Sequence, residues 1–294
     1  MFENEQRRGR RDNDEDHPDR EPETTRAAGF FPFLSLCCEL DFEHAGKLLR
    51  CLLDGLGFNR AIHSRRMIGS ASPQKAYFGP FVVFLGLIGL GELVKKPFEG
   101  MLVAWPLSTP MYWVFPLQTL VCGWLLWRWW HHYELKMPAR PIFTIFIGLL
   151  VLGLWIAPQE LFHAEQRLDG FEPGYFGSGA PYWVNLLFRF LRLVIVVPLV
   201  EEIFWRGFLL RYVIDQEFTK VPFGKFTWVS FLAVTLGFTF EHAQSDWPAA
   251  ALAGALYNLV AYRTRSLSAC VLAHAVTNFT LGLYVLRTGQ WGFW

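Results

Sequence analysis

The chain has 294 residues, of which 52% are hydrophobic. A formal net charge of +1 gives no reason to expect a nucleic-acid partner, and several long apolar runs exclude an ordinary water-soluble domain. The composition therefore predicts a polytopic membrane protein, with an all-α bundle of about seven (six to eight) transmembrane helices.

The first part of the chain differs from the rest. Residues 1–26 mix acidic and basic side chains with almost no apolar residue, which predicts disorder. Residues 27–70 are ambiguous, since a stretch that could form an amphipathic helix precedes a basic segment. We therefore divide the chain into a disordered or poorly structured region, 1–70, and a membrane-embedded helical domain, 71–294. One hypothesis takes Met67 as the native start, which makes the upstream residues a translation artefact.

Seven apolar segments from Tyr77 onward have the length and composition of membrane helices. The second contains three prolines and should be kinked or broken, and the third should end at Pro158. A charged loop, 158–182, follows the third segment. The segments cover roughly 77–94, 101–126, 141–157, 184–210, 227–243, 247–262 and 268–286.

Lys and Arg residues predict the orientation of these segments. They are frequent in the N-terminal region and in the loops after the second, fourth and sixth segments. With seven segments all of these lie on one side, so the positive-inside rule places the N-terminus in the cytoplasm. Lys95, Lys96 and Arg287 lie on the other side and count against this orientation.

The fourth segment carries two adjacent carboxylates and a guanidinium inside an apolar run. A charge at mid-bilayer depth costs roughly 2.5–3.5 kcal/mol, so such residues need partners or a wet cavity. Glu202 and Arg206 stand at i,i+4 and share a helix face, while Glu201 points about 100° away. Arg206 can then neutralise Glu202, which leaves the Glu201 carboxylate free for a different role. A helix end in the headgroup region, with Arg206 snorkelling, is the other interpretation.

Two of the eight His residues lie in predicted membrane segments, His242 in the fifth and His274 in the seventh. Asn278 follows His274 by four residues and shares its face. A lone His in an apolar helix is more often structural, but ionisable groups inside a membrane normally face the bundle interior and find one another. We therefore expect the three segments to bring their polar residues into one site.

Such a site has the groups of a hydrolase. A carboxylate can take a proton from water, and imidazoles with a carboxamide can hold that water and a developing oxyanion. A peptide bond is the expected target. Two His and one Glu are also the ligand set of some catalytic zinc sites, so Glu201, His242 and His274 are alternative metal ligands. The sequence has no HExxH motif.

Three motifs occur in order across these segments: EExxxR at 201–206, FxxxH at 238–242 and HxxxN at 274–278. Together they resemble the CAAX protease and bacteriocin-processing family (Abi or Rce1-type) of intramembrane endopeptidases. The resemblance covers roughly 181–287, the expected catalytic core. The sequence around EExxxR further resembles the exosortase-associated branch of CAAX-protease-related proteins.

The resemblance implies a role for each motif residue. Glu201 would be the base that activates water, with His242 orienting that water. His274 and Asn278 would stabilise the oxyanion, and the remaining two residues of EExxxR would hold the site together. A neutral Asn beside a His suits an oxyanion hole better than a metal shell, so we expect no cofactor, with zinc as the alternative.

The expected partners are the lipid bilayer and a membrane-associated protein or peptide substrate, and the expected location is the bacterial plasma (inner) membrane. Two other functions stay open: a non-catalytic membrane immunity or partner protein, and a transporter or ion pathway. Residues 77–160 hold no second copy of EExxxR, which counts against a transporter built from two related halves. No motif residue is missing, which counts against a degenerate partner.

Overall fold

The structure, a computed structural model, describes residues 72–294. Within this range the chain forms α-helices joined by short turns and contains no β-strand, so the predicted all-α class is confirmed. The predictions for the N-terminal region concern residues outside the described range. They are disorder over 1–26, an amphipathic helix within 27–70, a region boundary near 70 and a native start at Met67.

Each predicted membrane segment corresponds to a helix, and one segment is split in two. The helices are α1 Pro73–Lys95, α2 Trp105–Ser108, α3 Met111–Arg128, α4 Pro141–Leu161, α5 Ala180–Tyr212, α6 Trp228–Phe240, α7 Trp247–Thr264 and α8 Leu267–Thr288.

Helices α1 and α8 begin where a serine precedes an apolar run. The Ser72 side chain accepts a hydrogen bond from the backbone N–H of Lys75, and Ser266 does the same for Ala269. Each cap satisfies an N–H that has no partner inside its helix. Arg265 takes the left-handed conformation with φ 51°, which lets the chain reverse between α7 and α8 in two residues.

The prolines in the second and third segments have different effects. The second segment breaks at Thr109 and Pro110 into α2 and α3, so the predicted break is confirmed. The prediction that the third helix ends at Pro158 was wrong, because α4 continues to Leu161. Pro158 lies in the last turn, where its missing N–H removes one hydrogen bond and the helix has little length left to distort.

Within the described residues, four helical stretches are long and apolar enough to cross a membrane. They are Pro73–Phe98, Pro141–Leu161, Ala180–Tyr212 and Leu267–Thr288. Many large apolar side chains, such as Trp127 and Leu150, point outward and stay exposed, as expected of a surface that faces lipid. These features describe an integral membrane protein.

Helix α6 is shorter than the fifth predicted segment, 227–243. It has 13 residues, which span about 20 Å at 1.5 Å per residue, against roughly 30 Å for a bilayer core. The chain then turns and starts α7 at Trp247. The predicted end of the fifth segment at residue 243 is therefore too late, and α6 is one of the shorter apolar helices of the bundle.

Helix α5 lies at the centre of the bundle. Helices α1, α3 and α8 pack against it, α4 packs on α7 and α8, and α6 pairs with α7. Tyr77, Ile203 and Phe238 come from three of these helices and are almost fully buried in the shared core. Glu201, Glu202 and Arg206 therefore lie inside the bundle and not at a helix end.

Two π-helical stretches, Leu191–Val196 and Ile203–Leu209, interrupt α5. They enclose the α-helical stretch Val197–Glu202, which carries both adjacent carboxylates. A π turn displaces side chains and loosens backbone hydrogen bonding, and such turns are frequent at functional sites. The interruptions thus mark the part of α5 where the predicted site residues lie.

Candidate active site

A cavity of about 200 Å³ lies inside the bundle, between α4, α5, α8 and the turn that joins α6 to α7. Four of the six predicted site residues line it, and the other two lie behind its wall. The lining residues are Glu201, His242, His274 and Asn278. The two behind the wall, Glu202 and Arg206, are 0% exposed.

The Glu202–Arg206 ion pair predicted from the i,i+4 spacing is confirmed, with 3.0 Å between Arg206 Nη1 and Glu202 Oε1. Arg206 also donates from Nε to Asn258 Oδ1 at 3.1 Å and from Nη2 to the Gly254 carbonyl at 3.0 Å. Its guanidinium lies 4.8 Å from the centre of the Phe238 ring. Complete burial excludes the snorkelling interpretation, and the contacts tie α5 to α6 and α7.

His274 is held by the same carboxylate. Its Nδ1 lies 2.9 Å from Glu202 Oε1, and its ring stacks on Tyr257 at 5.1 Å. Because a carboxylate that pairs with a guanidinium accepts hydrogen bonds only, we assign the hydrogen to Nδ1. Nε2 then remains available to the cavity, where no described residue bonds to it.

His242 lies in the turn after α6. Its Nδ1 lies 2.7 Å from the Phe238 carbonyl, which can only accept, so we assign the hydrogen to Nδ1 and a lone pair to Nε2. The Trp155 ring packs edge-on against the imidazole at 5.2 Å. Because α6 ends at Phe240, His242 lies in a turn that lines the same cavity as Glu201 of α5.

Glu201 differs from every other predicted site residue. It lines the cavity and is 6% exposed. Within residues 72–294 its side chain makes no hydrogen bond or ion pair, and its Oε2 is buried without a partner. A buried polar atom in this state is costly unless a function or a water requires it.

Asn278 lines the cavity but is already engaged. Its Nδ2 donates to the Leu193 carbonyl at 2.9 Å, within the first π-helical stretch of α5. The prediction that its amide group faces a substrate oxygen therefore applies to one remaining hydrogen. The bond also explains how a carbonyl in the π-helical stretch finds a partner on α8.

Glu241 lines the same cavity and escaped the sequence analysis. Its Oε2 accepts a hydrogen bond from Trp205 Nε1 at 2.9 Å. The signal was present, because this carboxylate stands directly before His242 at the end of an apolar run. Asn258, which orients Arg206, was also missed, and in sequence it resembles any polar residue of a helix.

The described residues do not form a metal-binding group. Among residues 72–294, no three His, Cys, Asp or Glu side chains lie close enough together to hold an ion. The zinc alternative needs Glu201, His242 and His274 to converge at roughly 2.0–2.2 Å from one point. As placed within residues 72–294, these donors do not fit zinc.

The fold and the cavity define a helical membrane protein with a polar cavity inside its bundle. Residues 183–280 match the family model described as type II CAAX prenyl endopeptidase Rce1-like. The match runs from α5 to α8 and includes all six predicted residues, so this part of the chain is similar to the Rce1-like CAAX endopeptidases. Comparisons with curated proteins and with solved structures found no match. The family supports an intramembrane endopeptidase activity.

Proposed function

We propose that the protein hydrolyses a peptide bond of a membrane-associated protein or peptide, with a water activated by Glu201. The observation that carries this proposal is the state of Glu201, a buried carboxylate that faces the cavity without a donor partner. The imidazole of His242, whose Nε2 is free on the same cavity, supplies the second requirement, because it can hold the attacking water.

In the first step Glu201 takes one proton from the water, while His242 Nε2 accepts a hydrogen bond from the O–H that remains. The hydroxide forms a bond to the carbonyl carbon of the peptide, and the carbonyl oxygen becomes an oxyanion. Glu201 then passes its proton to the leaving amine as the C–N bond breaks. The products are a carboxylic acid and an amine, so one water is consumed for each bond.

The oxyanion needs donors, and two residues are available. Asn278 has one amide hydrogen beyond the one given to the Leu193 carbonyl. His274 donates from Nε2 only as an imidazolium, with Nδ1 directed at Glu202. We propose that Glu202 and Arg206 fix the position of His274, and that neither touches the substrate.

The test is a comparison of protein termini in cells that carry the wild type or Glu201→Gln. We expect membrane-associated proteins or peptides with a new terminus only in the wild-type cells. Glu165→Gln, a change of an exposed carboxylate in the loop between α4 and α5, is the matched control and should behave as wild type. Identical termini in all three strains would overturn the proposal and favour a non-catalytic membrane partner.

We further propose a cytoplasmic N-terminus in a bacterial plasma membrane, on the strength of the Lys and Arg distribution. Reporter fusions after α3 and α8 test the orientation. The prediction is that the loop after α3, which carries Lys136 and Arg140, reports as cytoplasmic. If a reporter fused at this loop is active on the side opposite the cytoplasm, the orientation is the reverse of the one proposed.

A further inference from the structure

Two buried arginines of α5 line the cavity and have no assigned role. Arg189 is 2% exposed and Arg192 is 7% exposed. Among the described residues neither forms an ion pair, although Glu201 and Glu241 line the same cavity. A buried guanidinium is normally paired with an anion, so these two charges require an explanation.

Three other arginines of the described residues follow the normal pattern. Arg206 pairs with Glu202, and Arg211 pairs with Glu134 at 3.0 Å. Arg167, which also lines the cavity, pairs with Asp246. Within residues 72–294, three arginines thus have a carboxylate partner, whereas the two cavity arginines have none.

Arg189 is held by ring faces and not by acceptors. Its guanidinium carbon lies 4.7 Å from the centre of the Phe115 ring, 5.4 Å from Phe171 and 5.5 Å from Trp294. Ring faces attract the cation but do not satisfy its N–H groups. Nε and Nη1 of Arg189 are buried without any hydrogen-bond partner in the described residues.

Arg192 is fixed at one edge and free at the other. Its Nε donates to Gln118 Oε1 at 2.8 Å, and Gln118 is itself oriented by a 2.8 Å bond to the Phe84 carbonyl. The Phe115 ring lies 4.3 Å from its guanidinium carbon. The terminal nitrogens make no hydrogen bond within residues 72–294, so the fork is positioned but unoccupied by acceptors from the fold.

We propose that Arg189 and Arg192 form an anion-binding subsite that takes the oxygens of a carboxylate or a phosphate group. The planar fork of arginine matches both groups and binds them through paired, charge-assisted hydrogen bonds. The rings beside both guanidiniums make the surroundings less polar than water, which strengthens these bonds. The ligand group comes either from a peptide with a free terminal carboxylate or from a lipid headgroup.

This inference rests on the proposed function only in taking the substrate as one source of the anion. The experiment uses the full chain in a neutral detergent and follows thermal unfolding by tryptophan fluorescence. The probes are N-acetyl-Ala-Val-Leu with a free carboxylate, the same peptide as its terminal amide, and glycerol 3-phosphate. A ligand that binds only the folded state raises the unfolding temperature, and titration gives its affinity.

We expect at least one anion to bind. If the peptide acid binds at least tenfold more tightly than the amide, the anion is a peptide carboxylate. Binding of glycerol 3-phosphate instead identifies a lipid phosphate. In either case Arg189→Met and Arg192→Met should weaken binding by about 10- to 100-fold, as expected for the loss of a charge-assisted hydrogen bond.

Arg189→Lys keeps the positive charge but replaces the planar guanidinium by an ammonium group. This variant takes the place of the Met variants if those do not fold. It should weaken binding by a smaller factor, and the exposed Arg263→Met control should leave it unchanged. The inference is overturned if no anion binds, or if binding is the same in all arginine variants. Binding measured in Glu201→Gln separates the two proposals, because the subsite should persist there while hydrolysis is lost.

Discussion

Glu201 and Glu202 are neighbours in the chain but lie in opposite surroundings. Glu202 faces the core, where Arg206 and His274 both bond to its Oε1. Glu201 faces the cavity and has no partner among the described residues. The rotation of about 100° per helical residue produces this difference. It teaches that burial alone does not identify the reactive group, since the more buried carboxylate is the one committed to the fold.

The largest expected effect comes from Glu201→Gln. This change keeps the shape of the side chain and removes the base, so hydrolysis should fall by about 10²- to 10⁴-fold. The unfolding temperature should stay close to that of the wild type, because no hydrogen bond in the described structure depends on Glu201. Cleavage of an identified substrate and thermal unfolding, measured on one purified sample, check both parts.

Glu241→Gln is the comparator for that result. Glu241 already accepts a hydrogen bond from Trp205, so we expect a smaller loss of hydrolysis than for Glu201. A larger loss at Glu241, with activity kept in Glu201→Gln, would exchange the roles of the two cavity carboxylates.

The next effect is on stability. Arg206→Ala leaves Glu202 buried without its cation, and removing one partner of a buried pair costs about 3–5 kcal/mol. The folded yield and the unfolding temperature in detergent should both fall. The double variant with Glu202→Gln should recover part of the loss, but not the bonds to Asn258 and Gly254. If Arg206→Ala is as stable as the wild type, the buried network does not hold the fold.

A smaller effect is expected at Asn278. Asn278→Ala removes an oxyanion donor and also leaves the Leu193 carbonyl unpaired. We expect hydrolysis to fall by about 10- to 100-fold, which is a smaller loss than the removal of an oxyanion donor often causes. The free energy of unfolding should fall by about 1–3 kcal/mol. Thr280→Val is the control, since its hydroxyl bonds only to carbonyls of its own helix. A loss of stability with full activity would make Asn278 structural.

The smallest effect should follow from metal removal. Because no described donor set fits zinc, we expect a chelator to leave hydrolysis within about twofold of its starting value. Elemental analysis of the active enzyme should find far less than one zinc per chain. Stoichiometric zinc, whose removal abolishes activity and whose return restores it, would establish the metal-dependent mechanism instead.

Sequence reasoning located the helices because apolar runs, capping residues and prolines act locally. It also located the Glu202–Arg206 pair, since an i,i+4 spacing on one helix fixes the distance between two side chains. It placed the end of the fifth segment too late, because the helix ends at Phe240 and a turn leads to α7. His242 lies in that turn and not in the helix.

Residues that act across helices were the main omission. Asn258 and Gln118 orient arginines on another helix, and nothing in their own surroundings in the chain distinguishes them. Arg189 and Arg192 were visible as charges within an apolar run, but their lack of carboxylate partners depends on the three-dimensional arrangement. No local sequence rule predicts π-helical stretches, so the sequence did not indicate these two.

The first π-helical stretch sets the rotational phase of α5. Arg189 precedes Glu201 by twelve residues, so an uninterrupted α-helix would place the two side chains about 120° apart. A π turn holds one extra residue, which reverses about 100° of that rotation and brings both side chains to nearly the same face. Deleting a single residue from Leu191–Val196 would restore the regular helix and turn the arginine away from the carboxylate, with every side chain of the site still present.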